Sequence, residues 1–467
     1  MRPHFASETI LACGALIAAC TTEPVVAPRA APSFSFAAAA AGPNNVLSGV
    51  VSLRLHHADS VAVRFHLEGA QGLDSVTPAV RTNGDTALSV PVLGLLPDRR
   101  YILQPVAYGG DQTLIGEALE LVTQKLPSDL PSYVAAGTNA MAGYVVLAVG
   151  MYGLVIDNTG RVVWYRRFAN GPWLNFMAQP NGRYVVRNVT ADPTDVESWV
   201  ELDALGNITR TFGCGLGLQP RFHDLISETD GGYWILCDET RTMDLAALGG
   251  SANARVTGTA IQHLSGKGEL LFHWSPFDHF LITDVDSTER SGTSVNWTHG
   301  NSLDIDADGN LLVSFRNLNE VTKIDSHTGS VMWRLGGRRN QFTFVDGVRS
   351  FGGQHSIRAY APGKVVLMDN VGDPIESRAE RWAVDAAGGT ARLLQSYGSA
   401  PKVRTLIGGS VQSLASDRTL VSFGTEGRVE EYDAAGNVVW RIESAPGYVF
   451  RAQRIRSLYR PGVETPR

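Results

Sequence analysis

The sequence predicts an all-β chain, a six-bladed β-propeller preceded by a small β-sandwich. Three observations carry this expectation. Short apolar runs alternate with Gly-, Asp- and Asn-containing turns along most of the chain, and no helical period of about 10–15 residues separates the strands, which argues against a parallel α/β fold. Two hairpin patterns alternate at a spacing of about 40–80 residues, the mark of four-stranded units repeated around an axis. The chain has 467 residues, of which 44% are apolar, enough for two cores.

The N-terminal segment MRPHFASETILACGALIAACTTEP has a basic start and a short apolar run, followed by small residues before a cysteine. That is the pattern of a secretory signal, too short to span a bilayer. Ile17-Ala18-Ala19-Cys20 resembles a bacterial lipobox. The resemblance implies a signal over residues 1–20, lipidation at Cys20, a membrane attachment through that lipid, and export to the periplasm or outer membrane. Ordinary cleavage without lipid is the alternative. Residues 21–45, rich in Pro, Ala and Ser, are expected to be a disordered tether. Residues 46–124 alternate as a separate all-β unit. Their segment GLLPDRRYILQPVAYG (94–109) resembles the fibronectin type III pattern, with Tyr101 as its corner tyrosine. Residues 125–134 read as a linker and residues 135–460 as the propeller.

One hairpin type reads apolar-Asp-x-x-Gly-x-apolar-x-Trp. Its copies are LVIDNTGRVVW (154–164), VELDALGNITR (200–210), IQHLSGKGELLFHW (261–274), TKIDSHTGSVMW (322–333), WAVDAAGGTARL (382–393) and EEYDAAGNVVW (430–440). The other type is complete five times and looks split once. VFRAQRIRSLY (449–459) has the character of an innermost strand, with AGYVVLAVG (142–150) as its partner. Joining the chain ends in this way closes the ring and removes exposed edges.

The second hairpin type carries the candidate site. HDLISETDG (223–231), NSLDIDADG (301–309) and HSIRAYAPG (355–363) place His223, Asn301 and His355 at one phase, ahead of a turn glycine. Residues at one phase of equivalent hairpins share one height. His299 lies two residues before Asn301 and so on the same face of its strand. Reflection through the turns pairs Asn301 with Arg316, His223 with Asp238, and His355 with Asn370, and places Ser410 as the equivalent of Asn301 in the last complete hairpin. One mouth is therefore expected to gather His223, His299, Asn301, Arg316, His355 and Ser410. Residues 275–298 and 336–353 are long connections leading to His299 and His355, and are read as rims or lids. His263, His273, His279 and His327 do not share the phase and are read as structural or exposed.

Formal charge is −6 with no basic block, so nothing in the composition suggests a nucleic-acid partner. Cys214 and Cys237 fall at the mouth end of one blade, where either a disulfide or two separate thiols would fit. A metal centre is disfavoured because an arginine stands among the histidines; a guanidinium suits an oxyanion and repels a cation. DADGN (306–310) lacks the late glutamate of a calcium loop.

The blade THGNSLDIDADGNLLVSFRNLNEVTKIDSHTGSVMWRLGG (298–337), with RFHDL (221–225) before it and GGQHSIR (352–358) after it, resembles the bacterial arylsulfotransferases. The resemblance covers roughly 135–460. It implies sulfuryl transfer from an aryl sulfate to a phenol without nucleotide donor or other cofactor. It makes His355 the nucleophile that carries a sulfohistidine, with His223, His299 and Arg316 as further catalytic residues and Asn301 and Ser410 binding the substrate. Small phenolic compounds are the implied partners. The segment between Arg316 and His355 is short, which departs from the best-known members. The alternative reading is a non-catalytic propeller that binds a ligand or partner at the cell envelope.

Overall fold

The computed structural model describes residues 30–171, 175–188, 198–443 and 447–462. The signal-like segment, and Cys20 with it, lies outside them. Asp-x-x-Gly turns recur because an Asp carboxylate accepts from backbone N–H groups two to four positions on, as Asp157 does from Thr159 and Arg161, while the turn glycine takes a positive φ (Gly160, +89°). Such turns return each strand beside its predecessor, and the chain winds into six sheets of four or five strands around one axis.

The innermost strands, in ring order, are Ala452–Ile455, Phe176–Ala178, Gln219–Ser227, Gly300–Ile305, His355–Ala361 and Ser410–Ser413. Closure joins both ends of the chain. Ala452–Ile455 pairs with Tyr144–Val149 and completes the first blade. Ala135–Ala136 pairs with Val438–Glu443 and covers the outer edge of the last.

Neighbouring inner strands are laced by side chains at every junction of the ring. Backbone N–H groups of Leu303, Ile357, Val411 and Ala452 donate to Asp224 (3.1 Å), Ser302 (2.8 Å), Ser356 (3.3 Å) and Ser410 (3.0 Å). Ala178 donates to Gln453 and Ser227 to Gln179, both at 2.9 Å. Each such bond contributes about 1 kcal/mol net. The axis below the mouth encloses a channel of about 120 Å³ lined by residues including Asp304, Arg358, Tyr360 and Gln412.

The N-terminal strands form one seven-stranded sheet folded on itself. The long strand Ser48–Leu67 bends at His57, whose φ is +58°. Its first half pairs with Ser33–Ala41 and Val80–Leu93, its second half with Arg100–Gly109 and Ser75–Val76. The Tyr101 hydroxyl accepts the Leu96 N–H at 2.8 Å. The expected tether over 21–45 is corrected here. Ser33–Ala41 is a strand, because Phe34, Ala37 and Ala39 bury one face against the sandwich core, and Asn44 donates to the Leu205 carbonyl of the second blade. The linker is docked as well: Tyr152 donates to Asp129 at 2.6 Å, and Tyr133 lies in the first-blade core.

Candidate active site

Three consecutive inner strands break register at the same height. The shifts fall between Pro220 and Leu225, between Gly300 and Ser302, and between His355 and Arg358. Bulges of this kind re-aim side chains. Two L-residues sit in the left-handed region there, His299 at φ +48° and Ser356 at +60°; strain of this sort concentrates at functional sites. The effect is to turn three imidazoles toward one another. The His223 ring lies 5.0 Å from His299 and 6.5 Å from His355, centroid to centroid. Phe450 stands against both His223 (5.8 Å) and His355 (6.1 Å).

The protonation pattern follows from the hydrogen bonds. His355 Nδ1 faces two acceptors, the Gly353 carbonyl at 3.0 Å and Asn370 Oδ1 at 2.8 Å. The Asn370 amide is oriented by its other end, where Nδ2 donates to the carbonyls of Thr405 and Gly408, both at 2.9 Å. Nδ1 therefore carries the proton, and Nε2 presents a lone pair. Among the described residues that lone pair meets only the Gly408 N–H, at a long 3.3 Å. His299 Nδ1 accepts from Asn296 Nδ2 at 2.6 Å, which leaves Nε2–H as a donor. His223 Nδ1 is buried without a hydrogen-bond partner among the described residues.

All three imidazoles are held neutral. Burial lowers His355 to about 4, aided by Arg316 and Arg451. Burial, then Arg221 and Arg316, lowers His299 to about 2. Burial, with Arg221 next, lowers His223 well below the usual histidine range. Arg316 donates Nη1 to Asn317 (3.0 Å) and Nη2 to the Leu406 carbonyl (3.4 Å), while its Nε is buried and unpaired. Arg221 is fixed by the Gly300 carbonyl at 2.8 Å and by Asp238. The floor is Asp224, 2% exposed, which binds Arg451 (2.8 Å) and Arg358 (2.9 Å). Burial pushes the Asp224 carboxyl up, but the two arginines pull it further down and keep it ionised. The mouth thus combines neutral imidazoles with fixed guanidinium donors, an environment for a small oxyanion. Among the described residues no three His, Cys, Asp or Glu side chains are grouped to hold a metal ion.

The sequence-derived set divides as follows. His223, His299, His355 and Arg316 converge. Asn301 lies beneath them, fully buried, with Nδ2 on the Gln354 carbonyl at 2.7 Å, so it supports the backbone entering His355. Ser410 is corrected. Its hydroxyl is spent between strands, donating to the Ala452 carbonyl (3.2 Å) and accepting from the Ala452 N–H (3.0 Å). It is the equivalent of Ser302 and Ser356 in the lacing, and Gly409 is the equivalent of Asn301 and His355. The reflected pairing of Asn301 with Arg316 is corrected too: the Arg316 N–H donates to the His299 carbonyl at 3.0 Å, because the bulge absorbs a residue.

Phe450, Arg451 and Arg221 were missed. The segments RFHDL and VFRAQRI hold all three, and Phe450 shares the phase of His355 once the ring is closed. Cys214 and Cys237 form a disulfide that brackets the His223 strand. The segment 275–298 is a packed rim rather than a lid: Phe280, Val285, Val295 and Trp297 are buried, and Asp284 binds Arg334 (3.0 Å) and Arg339 (2.7 Å). His263 stacks on Trp234 (4.3 Å) and His279 on Trp274 (5.0 Å), as structural histidines do.

Residues 220–445 match the family model of arylsulfotransferases (ASST). No match to a curated protein was found. Among solved structures the chain is similar to a Bacteroides caccae protein of unknown function, at 13% identity and TM-score 0.45 over 68% of this chain and 100% of that one. It is also similar to a streptogramin B lyase, at 10% identity and TM-score 0.38 over 67% and 84%. A third is virginiamycin B lyase from Staphylococcus aureus, at 10% identity and TM-score 0.36 over 67% and 88%. No functional conclusion follows from these likenesses. The matched segment contains the strands that carry His223, His299, Arg316 and His355, so the likeness to the arylsulfotransferase family covers the site.

Proposed function

We propose that the protein transfers a sulfuryl group from an aryl sulfate to a phenolic acceptor through a sulfohistidine at His355. The match of residues 220–445 to the arylsulfotransferase family model supports aryl sulfotransferase activity as such. The observation that supports the histidine route is the fixed tautomer of His355, with Nδ1–H held by Asn370 and an unprotonated Nε2 beside Arg316.

Sulfuryl transfer resembles phosphoryl transfer, with a loose transition state and charge on the non-bridging oxygens. Arg316, with its unpaired Nε–H, and His299, through Nε2–H, supply donors to those oxygens. His355 Nε2 attacks sulfur in line as the long Gly408 contact gives way, and the aryl oxygen leaves with the S–O electron pair. The first aryl oxygen departs as phenolate, and His223, being neutral, is the base for the proton of the acceptor phenol. The acceptor phenol then attacks sulfur, and the N–S pair returns to Nε2.

Incubation with an aryl sulfate and no acceptor should release a burst of phenol, stoichiometric with enzyme. The peptide 352–358 should gain the mass of one sulfuryl group. His355→Ala should abolish burst and adduct together. Turnover that persists in that variant defeats the mechanism, and no turnover with any aryl sulfate favours the ligand-binding reading.

We also infer that residues 46–124, with the strand Ser33–Ala41, are a fibronectin type III-like module. The order of its strand pairs and the Tyr101–Leu96 bond support this. Export with lipidation at Cys20 is proposed from the sequence pattern and is consistent with a disulfide, which persists in oxidising compartments. Metabolic labelling with a fatty acid, lost in Cys20→Ser, tests it.

A further inference from the structure

We propose that Asn370 is the positioning residue of the nucleophile, fixing the tautomer and plane of His355 and tying it to the loop 405–408; this rests on the sulfohistidine reading above. Asn370 is fully buried, and both ends of its amide are engaged. Oδ1 accepts Nδ1–H of His355 at 2.8 Å, and Nδ2 donates to the carbonyls of Thr405 and Gly408 at 2.9 Å each. The single Ser377 O–H is shared between the Asn370 carbonyl at 2.8 Å and the Thr405 carbonyl at 3.1 Å, clamping strand to loop.

This arrangement has one polarity. The two backbone carbonyls can only accept, so the amide nitrogen must face them and the amide oxygen must face His355. An imidazole in that position must present Nδ1–H, and its lone pair must sit on Nε2. The same loop sets the Gly408 N–H 3.3 Å from that lone pair. Asn370 thus places the ring and its nearest backbone donor together. When Nε2 bonds to sulfur, the Gly408 N–H loses its acceptor and stands beside the sulfuryl oxygens.

The identity of the residue matters for both half-reactions. In the first, the Nε2 electron pair forms the N–S bond, and the S–O pair departs on the aryl oxygen. Nδ1 keeps its proton, so the ring becomes cationic against the sulfonate charge. In the second, the acceptor oxygen takes the sulfur and the N–S pair returns to Nε2. A neutral amide holds the ring in place without the strong preference for the cation that a carboxylate would impose. An aspartate would also set one carboxylate oxygen, in place of Nδ2, against the two carbonyls. The other charged and titratable groups facing His355 are Arg316, Arg451, His223 and His299.

The test measures single-turnover adduct formation at His355 and the imidazole nitrogen NMR shifts in the full-length protein. The wild type should show one neutral tautomer with the proton on Nδ1. In Asn370→Ala the adduct should form about 10²-fold more slowly, as expected of a misplaced reactant, with tautomer exchange visible. In Asn370→Asp, which keeps the shape, the acid limb of adduct formation should move up by about 1–3 pH units. Wild-type rates in both variants, or an unchanged tautomer in Asn370→Ala, overturn the assignment. A wild-type protein that forms no adduct defeats the transfer reading instead, and the tautomer of Asn370→Ala still decides the positioning role.

Discussion

Arg451 reaches Asp224 across 227 positions of sequence, its Nη1 donating to Oδ1 at 2.8 Å. The residue at the closing strand of the ring thus neutralises the residue next to His223. Both are nearly without exposure, so each needs the other far more than a surface pair would.

Removing that arginine leaves a buried carboxylate with Arg358 as its remaining cation. Arg451→Met should destabilise the fold by about 3–5 kcal/mol, and pairing it with Asp224→Asn should recover part of the loss. Urea denaturation of the two single variants and the double variant measures the coupling.

Arg316→Ala should lower turnover by about 10²–10³-fold, the usual cost of one donor to a developing oxyanion. Arg316→Lys should not restore it, because an ammonium cannot keep contact with Asn317 and Leu406 and also direct an Nε–H. Steady-state kinetics with one donor and one phenol decide this. Near-normal rates in Arg316→Ala would remove the residue from the site.

Stability should fall as the medium is acidified below the histidine range. His355 is lowered from 6.5 to about 4 and His299 from 6.5 to about 2, so between those limits and 6.5 the unfolded chain binds more protons than the folded one. Stability therefore rises with pH through that window, by at most about 1.4 kcal/mol per pH unit for each histidine. Melting curves from pH 7 down to pH 5 should show the decline, and His299→Gln should flatten it. An unchanged slope in that variant would show that His299 is not held neutral.

Truncation after Gly447 removes Ala452–Ile455, the partner of Tyr144–Val149. The shortened protein should lose its cooperative melt or aggregate, since two inner edges become available for pairing. An unchanged thermal transition would mean that closure contributes little.

The alternating hairpins made the ring, its closure and the phase of His223 and His355 legible, because period-two strands and Asp-x-x-Gly turns are local signals. Ser410 shows where that counting fails. Its hairpin turns through Ser416 and Asp417, both at positive φ, and has no turn glycine from which to count. The bulges at 220–225, 300–302 and 355–358 were likewise invisible, because a bulge is fixed by packing across the axis and leaves no mark in residue type. Asn370 was paired with His355 from the sequence, but its role depends on the carbonyls of Thr405 and Gly408, which only the folded loop supplies.

The salt-bridged layer of Asp224, Arg358 and Arg451 has a kinetic consequence. Asp224 and Arg451 line the axial channel and are themselves buried, so the layer is a floor between that channel and the imidazoles. On the transfer reading, the leaving phenol and the acceptor phenol then share the approach from the mouth, and both contend for the sulfurylated enzyme. Turnover should then be throttled by accumulated leaving phenol, in competition with the acceptor, and donors with bulky rings should be slow to clear even where they are quick to react.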